Sequence, residues 1–374
     1  MTHVGRGAAA LAAAMGIGRF VYTPILPLMT AQAGLTAQAA GNLATANYVG
    51  YLAGAVAGTA SGRLVRSPIA WRTSLVVVVA SLTAMPLQST MFGWLALRTL
   101  AGFASALVFV IAVNSMLDHL RDHSPHLPGW GFGGVGVGIA LSGALVLLLP
   151  RAAHWQHAWW TAAALAAALA IGAWTMGATP QPGAAPVTSL PSPHRSRRWF
   201  AVLFASYTLE GIGYIIAGTF LVAAIKQTSP GWLASGSWVF VGIAAAPSAA
   251  LWAWLSTRWS HAVLLVVALL LQAVGIALPA LAPGVGPALI GAILFGATFI
   301  GVSTIALGAG RLLQFPGAVA LLTAGYSVGQ ILGPLIVAPL LDHGFQYALI
   351  AAALVVLASA VVAAPLRIPQ PVGR

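Results

Sequence analysis

Residues 7–29 read GAAALAAAMGIGRFVYTPILPLM, an apolar run long enough to cross a bilayer with one charge, Arg19, at its middle. A charge at mid-bilayer depth costs about 2.5–3.5 kcal/mol on insertion scales, so it marks a polar site enclosed by helices more often than an accident of sequence. Glu210 holds the matching depth of a second apolar run, 199–222, inside SYTLEGIGYIIAGTF (206–220). Two opposite charges at one depth of an otherwise apolar chain are the residues on which its chemistry turns.

The rest of the composition agrees with a membrane setting. The chain is 60% hydrophobic and 5% charged, with a mean hydropathy of +0.94, against roughly 25% charged residues in a soluble domain. No soluble core buries that much apolar side chain, so the lipid bilayer is the expected partner. The net charge of +12 is spread through short loops and is not a nucleic-acid footprint. With no cysteine, neither disulfides nor thiolate metal sites exist. Ala31-Gln32-Ala33 imitates a signal-peptide cleavage site, but a signal core is shorter and carries no central arginine, so the run is read as a retained first span.

Apolar runs of about 20 residues recur at 8–30, 40–61, 73–90, 92–117, 130–150, 157–177, 199–222, 234–255, 262–282, 286–309, 318–340 and 346–366. They predict an all-α membrane protein of twelve spans. The interval 178–198 carries five prolines and ends in Arg195, Arg197 and Arg198, a composition that neither continues a helix nor buries apolar surface. It reads as a cytoplasmic linker between an N-terminal six-helix half, 1–177, and a C-terminal half, 199–374. If the N-terminus is cytoplasmic, twelve of the 16 basic residues fall on that side and only Arg151 and Lys226 on the other, with Arg19 and Arg98 inside spans. That asymmetry places both termini inside. Trp71, Trp130, Trp199 and Trp259 at inner ends, and Trp94, Trp155, Trp159, Trp160 and Trp232 at outer ends, read as interfacial anchors.

The halves echo each other. Gly16-Ile17-Gly18 in span 1 returns as Gly211-Ile212-Gly213 in span 7, an offset of 195 (211 less 16). Gly134, Gly138 and Ser142 in span 5 match Gly325, Gly329 and Gly333 in span 11, an offset of 191 (325 less 134). Small residues four apart let helices approach closely in lipid. Six spans repeated in one orientation form a parallel repeat, the plan of the major facilitator superfamily.

GIGRFVYTPILPLM (16–29) and GLTAQAAGNLATANYVGYLAG (34–54) resemble the opening of the YbfB/YjiJ-type transporters, a largely uncharacterised branch of that superfamily. The resemblance continues through VGVGIALSGAL (135–145), LEGIGYIIAGTF (209–220), FGATFIGVSTIAL (295–307) and YSVGQILGP (326–334). It implies secondary transport through a central cavity lined by spans 1, 4, 7 and 10, in a monomer, and it names no substrate. In the loop between spans 2 and 3, the wider superfamily carries a glycine, an acid and basic residues. Here Gly62, Arg63, Arg66 and Arg72 keep the glycine and the positive charge without the acid, so an Asp-based gate is not expected. A Gly-x3-Gly-Pro pattern, associated with antiporters in helix 5, sits here in span 11, Gly329 to Gly333-Pro334, and gives no direction of transport.

The functional reading makes Glu210 a proton carrier and Arg19 the holder of an anionic substrate group. A carboxyl out of water favours its neutral form and a nearby arginine favours the charged one, so a changing Arg19–Glu210 distance would load and unload a proton. The alternative is a permanent salt bridge that pins span 1 to span 7. Arg98, four before Gly102, resembles the superfamily's cavity-facing Arg-x3-Gly element of helix 4, although snorkelling to the headgroups competes. Tyr22, Asn47, Tyr51, Asn114, Tyr207, Tyr214 and Gln330 are candidate cavity residues, with interhelical hydrogen bonding as the plain alternative for each. Tyr214 aligns with Arg19 under the 195 offset, and Pro24 and Pro27 would loosen the outer half of span 1.

Asp118, His119, Asp122, His123 and His126 imitate a metal site at the inner end of span 4, where solvated polar residues are expected in any case. No metal or other cofactor is expected. The expected function is a secondary active transporter in a bacterial inner membrane, moving a small organic molecule by alternating access with protons. A transport-inactive sensor is the alternative. An embedded enzyme lacks a second acid or a histidine within a span, and no nucleotide-binding Gly-x4-Gly-Lys loop occurs.

Overall fold

A computed structural model of the chain describes residues 3–119, 127–150, 152–176, 195–229 and 231–368. The described residues are helical throughout, without strands. In chain order the long helices are α1 (His3–Gln32, broken inside), α2 (Ala37–Ala60), α3 (Pro68–Ala84), α4 (Met91–His119), α5 (Leu127–Leu148), α6 (Trp155–Ala173), α7 (Arg195–Thr228), α8 (Gly231–Leu255), α9 (His261–Leu281), α10 (Val285–Leu312), α11 (Ala318–Leu341) and α12 (Phe345–Ala363). Each of the twelve apolar runs falls on one of them. Ten are long and apolar enough to cross a membrane by length and composition; α2 and α6 fall short. Of the proline-rich interval read as a linker, 178–198, residues 178–194 lie outside the described residues, while Arg195, Arg197 and Arg198 open α7 instead of ending the linker.

Local sequence sets the helix ends. Thr36, Ser67 and Ser260 accept from backbone amides three residues on and cap α2, α3 and α9. Gly317, at φ +69°, makes the left-handed entry to α11. The bundle is inverted relative to a soluble protein: Phe92 and Leu148 are 82% and 80% exposed, while Asn47 and Glu210 are fully buried. With lipid outside, helices gain nothing by hiding apolar side chains from one another, so close backbone packing must hold them.

Glycines make those seams in two matched sets. Gly134 and Gly138 of α5 press on Ala8, Ala12 and Gly16 of α1, and Gly329 and Gly333 of α11 press on Thr208, Gly211 and Ile215 of α7. Gly102 of α4 lies on the Asn47 carbonyl of α2, and Gly296 of α10 lies on the Val241 carbonyl of α8. Both residues of that second contact are displaced by the same 194 positions (296 less 102, 241 less 47). A further seam joins α5 to α8, where Gly136 meets Ala246 and Gly242 meets Ala140. There the Trp238 indole N–H also donates to Ser142 Oγ at 3.2 Å.

The tryptophans correct one expectation. Trp130, Trp160, Trp232 and Trp259 are exposed at helix ends as anchors are, but Trp71, Trp94, Trp155 and Trp159 are buried. Trp94 donates to the Met85 carbonyl at 3.1 Å and meets Trp155 edge-on. The Trp71 and Trp159 indole N–H groups have no hydrogen-bond partner, so those two rings are held inside by packing rather than by a donor.

Candidate functional site

The site begins with a break in α1. A π-type stretch, Ala12–Ile17, leads into the turn 18–21 before the helix resumes at Tyr22. Gly16 and Gly18 offer little resistance, and Pro24 completes the disruption because it cannot donate to the carbonyl of Phe20 four residues back. The Phe20 carbonyl instead accepts from the Thr23 amide, three residues on. That leaves the Arg19 carbonyl to an outside donor, and Arg98 Nη2 of α4 reaches it at 3.3 Å.

Arg19 itself is 4% exposed. Its guanidinium lies 4.4 Å from the Tyr51 ring centre, 5.0 Å from Tyr48 and 5.1 Å from Phe20, and its Nη2 donates to Gln330 Oε1 of α11. Arg98, 1% exposed, lies 4.9 Å from the Tyr22 ring and does not snorkel. Asn47 Nδ2 donates to the Arg98 carbonyl at 2.9 Å, binding α2 to α4. Tyr22 donates to the Ala40 carbonyl at 3.0 Å. Towards α7, Thr23 donates to the Gly218 carbonyl at 2.5 Å, and the Tyr48 and Thr219 hydroxyls are 2.8 Å apart.

Glu210 is held elsewhere. Gln272 Nε2 of α9 donates to its Oε1 at 3.2 Å, while Glu210 Oε2 and Gln272 Oε1 have no hydrogen-bond partner. Among the described residues Glu210 forms no ion pair with Arg19, so the permanent salt bridge does not occur. Between the two lies a ladder of rings, entered edge-on by Phe20 at 71° and near-parallel from Phe299 to Tyr207. Phe20 meets Phe299 at 6.1 Å, Phe299 stacks on Tyr214 at 5.5 Å, Tyr214 on Tyr326 at 5.5 Å, and Tyr326 on Tyr207 at 4.5 Å. Tyr207, three residues before Glu210 on the same face of α7, donates to Ser303 Oγ at 2.9 Å.

Arg19, Arg98, Tyr22, Asn47, Tyr51 and Gln330 are thus gathered around the break, and Tyr207 and Tyr214 line the ladder towards Glu210. Asn114 is not gathered: it is exposed and donates to the Val110 carbonyl of its own helix at 2.8 Å. Gly62 opens a four-residue helix, Gly62–Val65, and Arg63, Arg66 and Arg72 are exposed near it, Arg72 against the Trp174 ring at 5.6 Å. Of the metal-like cluster, residues 120–126 lie outside the described residues, and the His119 ring stacks on His3 at 4.3 Å. Sequence reasoning missed Tyr48, Gln272, Ser303 and Tyr326. Gln272, inside LLLQAVG (269–275), carried the same signal as Asn47, an amide in mid-span. A separate cavity of about 750 Å³ opens between one set of ends of α1, α5, α7 and α8, lined by Pro24, Pro27, Val222, Trp232 and Lys226.

Comparison with known proteins follows the same lines. A family described as "Uncharacterised MFS-type transporter YbfB" matches residues 11–364. No curated protein matches the sequence. Among solved structures, a point mutant of the nucleoside transporter NupG superposes with a TM-score of 0.71 over 97% of this chain and 99% of that one, at 13% identity. At that identity the likeness is one of fold.

Proposed function

We propose, from the premise that this chain belongs to the family of uncharacterised MFS-type transporters typified by YbfB, that it is a secondary active transporter of a small organic molecule, driven by protons through Glu210. It works by alternating access of two six-helix halves, α1–α6 and α7–α12. The glycine contacts repeated between α2–α4 and α8–α10, and between α1–α5 and α7–α11, support that division.

The observation that carries the reading is the separation of the two buried charges. Glu210 sits on an amide and Arg19 on aromatic faces and Gln330, with a ladder of rings between them. A protonated carboxyl and a primary amide complement each other through two hydrogen bonds, N–H to one oxygen and O–H to the other carbonyl. One proton on Glu210 Oε2 therefore satisfies both oxygens now without a partner. Uptake of substrate-driven protons by proteoliposomes, screened over metabolites and drugs, tests the function. A compound that moves protons with the native chain and not with Glu210→Gln supports it, and proton-independent flux of that compound removes the coupling.

Gln272 is the positioning residue for that proton. Gln272→Leu deprives the buried carboxyl of both its donor and its acceptor, a loss of about 1–3 kcal/mol. Proton-driven accumulation should fall about tenfold, with the pH profile displaced, while exchange at equal pH stays near native. An unchanged pH profile would reduce Gln272 to packing.

Orientation follows from the basic residues: both termini face the cytoplasm of a bacterial inner membrane. The absence of cysteine allows a direct check. A membrane-impermeant maleimide should label Lys226→Cys from outside on intact cells and Arg63→Cys only after lysis. The reverse pattern would invert the topology.

A further inference from the structure

Arg19 and Arg98 are the buried basic residues among the described residues, and neither meets a carboxylate. Glu210 is engaged with Gln272 instead. Three nitrogen atoms, Nε of Arg19 and Nε and Nη1 of Arg98, have no hydrogen-bond partner. Ring faces offset part of the cost of burying a cation, but an uncompensated buried ion remains strongly unfavourable. Here two like charges are drawn together, the Arg98 guanidinium donating to the Arg19 carbonyl.

We propose that Arg19 and Arg98 form an anion subsite that takes the carboxylate of a flat, ring-bearing substrate. The inference rests on the transporter reading above and supplies its substrate class. Guanidinium groups present paired donors that match the two oxygens of a carboxylate. Gln330 now meets Arg19 with a single neutral oxygen, which a carboxylate would displace for two charged ones. The surroundings select the rest of the molecule. Phe20, adjacent to Arg19, meets Phe299 edge-on, and beyond it Phe299, Tyr214 and Tyr326 stack in sequence with interplanar angles of 4° and 14°. A planar apolar body extends such a stack, and an aliphatic chain or a strongly hydrated body does not. A phosphate ester shares the anionic chemistry, and the phosphate arm of the test below separates it from a carboxylate.

The test uses the full chain purified in detergent, its Tm followed against 2-naphthoate, 2-naphthamide, 2-naphthyl phosphate, acetate and 2-naphthylmethylammonium. The expected result is a dose-dependent rise with 2-naphthoate, at a concentration at least about tenfold below that needed of any other probe. Arg19→Gln and Arg98→Gln, where folded, should each lose that rise. Equal response to the amide, preference for the phosphate or the ammonium, or no response to 2-naphthoate overturns the proposal. So does a rise that survives either substitution. The native-chain series decides even if neither variant folds. The readout is binding and not flux: a neutral compound found to move with protons would leave the transporter standing and remove the anion subsite. Arginine-dependent binding without flux of any compound would do the opposite.

Discussion

Glu210→Gln is expected to end proton-driven accumulation while leaving substrate exchange close to native. A gradient of two pH units is worth about 2.7 kcal/mol for one coupled proton, about a hundredfold accumulation or depletion at equilibrium. Without an ionisable group at this position the ratio should fall to one. The substitution is mild in every other respect. Glutamine has the same shape, retains an oxygen for the Gln272 N–H donor, and places an amide N–H₂ where the carboxyl proton would sit. The fold and the ring ladder should survive, so counterflow of labelled substrate at equal pH should stay within about twofold of native. Accumulation that persists in the variant would place the proton elsewhere; loss of exchange along with accumulation would make Glu210 a substrate ligand.

The largest effect on stability is expected from Gly102→Val. A Cβ at this position would stand 1.9 Å from the Asn47 carbonyl oxygen and 2.9 Å from the Tyr51 amide nitrogen. Both are main chain, so no side-chain rotation relieves the clash and α2 must move away from α4. The shift also stretches the Asn47 hydrogen bond to the Arg98 carbonyl and disturbs the arginine that holds the break in α1. Overpacking of this kind costs about 3 kcal/mol or more, enough to lower Tm sharply or prevent recovery of folded protein from membranes. Gly286→Val is the control, because nothing lies within 4 Å of a Cβ there, and its effect should stay within about 0.5 kcal/mol. Equal behaviour of the two variants would mean that the α2–α4 seam yields.

Much of this architecture was legible in the residues. Bilayer thickness fixes span length, so ten of the twelve apolar runs lie on helices long and apolar enough to cross a membrane, with ends shifted by a few residues. Gly134 and Gly138 advertised a close approach and found it on α1. The partners of the charges were not legible, because a mid-span position fixes depth and not azimuth. Arg19 and Glu210 share a depth, yet one faces Gln330 and the other Gln272. Gln272 went unnoticed because only charges and a few amides drew attention, and Tyr48 because its neighbour Asn47 did. Asn114 looked like its counterparts but turned back to its own helix, the cheapest hydrogen bond open to an amide.

The π-type stretch Ala12–Ile17 has a consequence for descent. A π turn holds one residue more than the α turn it replaces, so the stretch can give up one residue of the alanine tract by returning to an α turn, and Arg19 keeps its bearing on the tyrosines. The same deletion in an unbroken α-helix would swing the arginine about 100° around its axis. A lineage that lost that codon would keep its cation in place, with every side chain of the site unchanged.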